Sequence, residues 1–201
     1  MLRSLSNTLV GVRQVTERNA GRHTAGIDGE IALTVTARAT LTMRVHRQTQ
    51  LWNPLPVRRV YIQKSNGKRR PLGIPVIVDR CHQARVRNAL EPEWEARFEP
   101  KSYGFRPGRG CQDAIGAIYS TLSKKNSRRE WLLDADLAAA FDRINHERLL
   151  AKLGDFPARG LIRGWLKAGV IDQGRFAPTE EGTPQGGVIS PLLLNELAQR
   201  P

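Results

Sequence analysis

The 201 residues, 40% hydrophobic and 25% charged, suit one ordinary domain or two small lobes with a core that buries roughly 70% of the unfolded surface, and they exclude a disordered or fibrous class. Against 19 acids stand 32 Lys and Arg, leaving a net charge of +13 whose field favours a polyanion, nucleic acid first. Two distant cysteines, four scattered histidines and the lack of a membrane-length apolar run exclude a disulfide scaffold, a zinc ribbon and a membrane span. Cys81 and Cys111 are expected to be buried thiols in a reducing compartment, a bacterial-type cytoplasm or an organelle.

The opening MLRSLSNTLVGVRQV is free of acids, a faint likeness to a transit peptide. An amphipathic helix with Leu2, Leu5, Leu9 and Val12 inward is the simpler account. Asn19 to Glu30 is rich in turn residues, and a second helix spans about Leu33 to Gln50 with Arg38, Arg44, His46 and Arg47. Proline spacing then holds Trp52 to Pro56 extended. Val57 to Ile74 reads as two strands joined at Asn66-Gly67, the dipeptide suited to a tight hairpin turn. Arg58, Arg59, Lys64, Lys68, Arg69 and Arg70 crowd this hairpin. Fixed cations suit a triphosphate or a strand backbone, although a basic edge also guards against aggregation.

Asp79 is the expected N-cap of a helix ending near Glu91, with Val86 and Leu90 inward, Arg80, Arg85 and Arg87 toward solvent, and Pro92 as the stop. Tyr103, Phe105, Arg106 and Arg109 in SYGFRPGRG form a mix used to stack on single strands, though alone it is a loop. Cys111, Ala114, Ile115, Ile118 and Leu122 recur at helical spacing, predicting a core-packed helix over Gly110 to Leu122.

WLLDADLAAAFDRINH, from Trp131 to His146, predicts a short strand with Asp134 and Asp136 on one face and Trp131, Leu133, Ala135 and Leu137 buried on the other. Those carboxylates are either solvated acids or ligands for a hard cation. A helix with His146, Leu149, Leu150 and Leu153 follows, capped by Gly154. A second helix over Leu161 to Val170 buries Trp165 and Leu166. In EGTPQGGVISPLLLN, Gly186 and Gly187 allow close backbone approach, with Ser190 at an N-cap and Pro191 in the first turn.

In order, RRVYIQKSNGKRRPLGIP, LEPEWEARFEPKSYGFRPGRG, LDADLAAAFDRINHERLL and GTPQGGVISPLLLNEL closely resemble the fingers and palm motifs of group II intron-encoded reverse transcriptases. NAGRHTAGIDG resembles the start of that family, and the likeness covers about residues 15 to 198. It implies an α+β right-hand polymerase: an N-terminal helical extension over 1–56, fingers over 57–130 and a partial palm over 131–201. It further implies RNA-directed DNA synthesis from dNTPs with two Mg²⁺ ions. RNA template, intron RNA, and a DNA primer or target are the implied partners.

By this resemblance Asp136 is a catalytic, metal-binding aspartate and Leu137 the backbone metal ligand beside it. Lys64 and Arg70, with Arg58 as companion, match triphosphate-contacting cations, and Gln185 lies along the incoming nucleotide. Ala140 stands where many relatives carry an aromatic residue under the sugar, which puts sugar discrimination in doubt. The family's aromatic residue followed shortly by two adjacent aspartates is missing, since the sequence holds no Asp-Asp pair. The expectation is a fragment or a truncated gene product, inactive alone, with a second polypeptide that supplies the missing palm and thumb as one candidate partner. Two further readings are a non-catalytic RNA-binding module that assists intron folding or splicing and a gene remnant without a stable fold.

Overall fold

The structure is a computed structural model, and it describes residues 1–48, 52–63, 65, 67–123, 131–137 and 139–198. Helices α1 (Leu5–Arg13) and α2 (Val35–Arg47) precede a hairpin of β1 (Val57–Gln63) and β2 (Arg69–Ile74). The long α3 (Ile77–Arg97), then α4 (Cys111–Leu122), α5 (His146–Lys152) and α6 (Arg159–Lys167) follow. Short strands β3 (Val170–Asp172) and β4 (Arg175–Ala177) lead to α7 (Ser190–Ala198). The sheet order is β2-β1-β3-β4, antiparallel except for the parallel β1–β3 seam, where Val57 pairs with Val170.

Helix α3 is the spine between two apolar clusters. Its Ile77, Val78, Cys81 and Ala84 join Val12, Val15, Leu41 and Val45. Its Val86, Leu90 and Trp94 join Leu149, Leu150, Ile162 and Leu166. Burial on both flanks explains why this helix departs from its sequence pattern. Arg80 and Arg85, expected in solvent, are buried, and carbonyl oxygens accept from their terminal nitrogens: Gly21 and Thr24 from Arg80, Val45 and Leu2 from Arg85, while both Nε atoms stay without a partner. The helix also runs through Pro92 to Arg97 instead of stopping at Glu91. An internal proline costs roughly 3 kcal/mol, which the burial of Leu90 and Trp94, roughly 1.5–3 kcal/mol each, offsets.

The inward face of α1 also differs from expectation. Leu5 and Leu9 are exposed, whereas Asn7, Thr8, Gly11 and Val12 are buried, Asn7 and Gly11 against α3 and Thr8 against His46 of α2. Small and hydrogen-bonded residues win there because the helices approach closely. A Cβ at Gly11 would lie 3.2 Å from Arg85 Cγ. Asn7 Nδ2 donates to the Arg85 carbonyl at 3.0 Å, and Asn88 Nδ2 donates to Asn7 Oδ1 at 3.0 Å.

Asp79 is not a cap, for α3 begins at Ile77. Its buried carboxylate instead accepts from Trp52 Nε1 and Trp165 Nε1, each at 2.7 Å, and from the Leu55 amide at 3.1 Å. Burial raises its pKa and these donors oppose that rise. One acid thereby joins α3, the 52–56 approach and α6.

Two apolar segments lack the burial expected of them. Helix α4 forms over the expected residues but buries none, and Ile115, Ile118 and Tyr119 stand in solvent with Cys111. Residues 131–137 are exposed and are not a strand, with Trp131 93% and Leu133 91% accessible. A strand needs a ladder partner, and no described strand pairs with this segment.

Asp79→Leu removes the acceptor of two indoles and is expected to cost roughly 2–4 kcal/mol, with Asp79→Asn costing less, both read from urea unfolding. A pH effect follows from His82, whose pKa burial and then the Arg85 charge lower from 6.5 to about 3. Between those values the unfolded ring takes up a proton that the folded ring refuses, so stability falls as pH drops through the window. From pH 7 to 5 the loss is expected to be about 2 kcal/mol, and urea unfolding of His82→Gln at both pH values should show a correspondingly smaller loss.

Candidate functional site

The basic hairpin forms as expected, with β1 and β2 in register from Arg58 opposite Ile74 to Gln63 opposite Arg69. Arg69 and Arg70 are exposed and Arg58 and Arg59 half-buried, and none of the four pairs with a described carboxylate. Arg58 Nε is enclosed without a partner. Lys64 and Asn66 lie outside the described residues.

The loop over 181–187 is seated on the hairpin's β2 edge. The Gly73 amide donates to the Gln185 carbonyl at 2.7 Å, and Arg70 Nε donates to Gln185 Oε1 at 2.9 Å. Gln185 Nε2 in turn gives a long 3.4 Å bond to Asp142 Oδ2. Thus two of the expected residues, Arg70 and Gln185, are brought together, and Asp142 completes a chain of polar contacts across three segments.

Backbone bonds hold the same loop to the turn at 139–146. The Thr183 amide donates to Phe141 O at 2.7 Å, the Gly182 amide to Ile144 O at 2.8 Å, and His146 Nε2 to Gly182 O at 2.7 Å. On its far side, Val188 N donates to Gln83 Oε1 at 2.8 Å, and Ser190 Oγ donates to Pro184 O at 3.0 Å. Gly186 has φ +116°, and a Cβ there would lie 2.9 Å from Gly73 O, so both conformation and space require glycine.

A cleft of about 440 Å³ opens beside this loop, with Arg59, Tyr61, Asp142, Asp172 and Gln185 in its wall. Tyr61 donates to Asp172 Oδ2 at 2.6 Å, and that hydrogen bond is the main cause of the raised tyrosine pKa. Sequence reasoning missed Asp142 and Asp172. Asp142 lies inside the acid-bearing run over 131–146 but past its two paired acids, and Asp172 reaches Tyr61 from 111 residues away.

The remaining expected residues are not gathered in. Asp136 and Leu137 stand in the exposed 131–137 segment, and Ala140 is half-buried beside Ala139, whose φ is +53°. Among the described residues no group of three His, Cys, Asp or Glu is placed to hold a metal ion. Asp136 by itself does not fit a two-metal centre. The SYGFRPGRG loop is largely a structural clip: buried Arg106 holds Glu95 Oε1 at 2.6 Å, and Arg109 Nη1 donates to Ser102 O at 2.9 Å. Phe105 projects from it, edge-on to Phe141 with centroids 6.1 Å apart.

Residues 62–200 match the family described as reverse transcriptase (RNA-dependent DNA polymerase), and residues 1–45 match the N-terminal domain of reverse transcriptase. The chain therefore belongs to the reverse transcriptase family, in its group II intron reverse transcriptase/maturase branch. It is similar to Protein YkfC of Escherichia coli (strain K12), 41% identical over 195 residues, 93% of this chain and 51% of the relative. It is also similar to group II intron-encoded protein LtrA of Lactococcus lactis subsp. cremoris, 42% identical over 71% of this chain and 24% of the relative. Maturase-like protein 1 of Euglena gracilis is 30% identical over 93% of this chain and 40% of the relative. The chain thus spans about half the length of these relatives, or less. Among the described residues no helix is long and apolar enough to cross a membrane.

Gly186→Val is expected to free the loop from β2, costing roughly 1–3 kcal/mol. Hydrogen exchange at the Gly73 amide, whose acceptor is Gln185 O, should accelerate in this variant; unchanged protection would contradict the seating described.

Proposed function

We propose that this chain is the fingers and first palm portion of a group II intron-type RNA-directed DNA polymerase. Its boundaries are a helical extension over 1–56, fingers over 57–130 and partial palm over 131–201. The observation that carries this reading is the Arg70–Gln185 bond, because it joins a hairpin cation to the loop glutamine that the family resemblance assigns to one incoming nucleotide. Arg58, Lys64 and Arg70 hold the triphosphate, Gln185 lies along the nucleotide, and Ala140 sits beneath the sugar without an aromatic platform. Template RNA and a DNA primer or target complete the substrate set.

Asp136 and the Leu137 carbonyl are this chain's contribution to a Mg²⁺ site whose other carboxylates are not among its described residues. The lone acid does not support two-metal transfer, so these 201 residues by themselves are inactive. With an RNA template, a DNA primer, Mg²⁺ and dNTPs, the purified chain is expected to extend no primer. Extension abolished by Asp136→Asn would overturn this part.

A second reading, RNA binding without catalysis in support of intron folding or splicing, is favoured by the net charge of +13 and by the hairpin arginines free of acidic partners. Structured RNA is expected to bind with strong salt dependence in both the parent and Asp136→Asn. Neutralising Arg69 and Arg70 together should flatten the log–log salt slope by roughly 1 to 2. Undetectable binding at moderate salt would remove the nucleic-acid role from this surface.

A further inference from the structure

The SYGFRPGRG loop carries a feature that its role as a clip does not explain. Phe105 sits at φ +58°, in the left-handed region, where a residue with a Cβ is strained and glycine is the ordinary occupant. Glycines stand close by at 104 and 108, yet this position carries a phenylalanine, and it is 64% accessible. Burial therefore does not offset the strain.

The chain is fixed on both sides of this residue. Gly104 O accepts from Asn195 Nδ2 at 3.0 Å, which ties the loop to α7. Next along the chain, the buried Arg106 guanidinium donates to Glu95 Oε1 at 2.6 Å and to Glu99 O at 2.6 Å, and lies 5.2 Å from the Phe98 ring centroid. The Phe105 ring is thus held outward by its neighbours, and its ring partner among the described residues is Phe141, at an interplanar angle of 79°. That partner places it beside the candidate site. Phe141 O accepts from the Thr183 amide at 2.7 Å, and the next residue, Asp142, meets Gln185, which accepts from Arg70. A ring held rigid before binding loses little freedom on contact, and every nucleobase presents a flat face to such a ring. Strained side chains held in place by their surroundings cluster where ligands are met. The polyanion favoured by the +13 charge and by hairpin arginines free of described acidic partners carries such bases.

We propose that Phe105 is a stacking platform for a nucleobase, set beside the chain of contacts through Arg70, Gln185 and Asp142. It rests on the nucleic-acid reading of this face, which both functions proposed above share. The base belongs either to an unpaired position of a bound strand or to a free nucleotide, and both sources present the same π-face. Phosphates are held by the hairpin arginines, so charge and stacking are separable: the first sets the salt dependence, and the second leaves it unchanged.

The test is titration of the full chain with single-stranded RNA octamers carrying 2-aminopurine at successive positions, and with free 2-aminopurine deoxynucleoside triphosphate and Mg²⁺, reading fluorescence quenching and affinity. Quenching within a strand identifies an unpaired strand base, and quenching of the free triphosphate identifies a free nucleotide. Either result supports the platform. Phe105→Gly is expected to weaken the quenched ligand roughly tenfold and to leave the log–log salt slope of octamer binding unchanged. Glycine suits φ +58°, so this variant is expected to keep the parent's urea midpoint. Phe105→Leu, which keeps an apolar body without a π-face, is expected to show the same loss, and Phe105→Trp none. Octamer binding without quenching of either probe, or with equal affinity for the parent, Phe105→Gly and Phe105→Leu, would overturn the platform and leave the nucleic-acid reading in place. Binding of neither octamer nor triphosphate would overturn both.

Discussion

The buried carboxylate of Asp79 is the constraint on which the rest of the arrangement depends. It costs desolvation to place there, as its raised pKa records, and only the three donors around it make the position tenable. Those donors come from the extended approach to the hairpin and from α6, the helix that leads into β3. The acid on α3 thus aligns the segments entering both strands of the parallel seam, at Val57 and at Val170. An apolar residue would fill the space but would leave two indole N–H groups unmet, so packing alone does not replace it.

From that alignment the loop over 181–187 receives its seat. It is held on one side by Gly73 and Arg70, on another by the 139–146 turn, and beneath by Gln83. Most of these bonds are made by backbone groups, which explains the demand for glycine where chains approach within a side chain's radius. The Gln185 side chain remains at the rim, between a cation and a carboxylate.

Elements governed by local chemistry were legible in the sequence. The hairpin and the α5 and α6 segments with Trp165 and Leu166 buried follow from turn dipeptides, periodicity and caps, whereas Ser190, expected at an N-cap, is the first residue of α7 and spends its hydroxyl on Pro184 O. Misreadings arose where tertiary partners reversed an intrinsic preference. Arg80 and Arg85 look like surface residues until carbonyls from distant segments accept from them, and Asn7 and Thr8 look exposed until α3 and α2 approach. Leu5, Leu9 and the α4 stripe show the converse, apolar periodicity without a covering surface. The three-residue strands β3 and β4 are too short to leave a pattern. Of the site residues, Arg70 and Gln185 are marked by family likeness and meet in space, whereas Asp142 lies inside a motif that gives it no role. Asp136 was singled out by sequence, yet its segment has no strand partner among the described residues.

The parallel seam between β1 and β3 has a consequence for the order in which the sheet assembles. The antiparallel hairpin closes over a handful of residues, so its ends meet at little entropic cost and on a microsecond scale. The seam joins segments more than a hundred residues apart through only two paired positions, and the Tyr61–Asp172 contact alone spans 111 residues. Loop closure of that length is repaid only after α3 and α6 have docked. The cleft bounded by Arg59, Tyr61 and Asp172 is therefore a late product of folding, while the basic hairpin that forms its other edge is an early one.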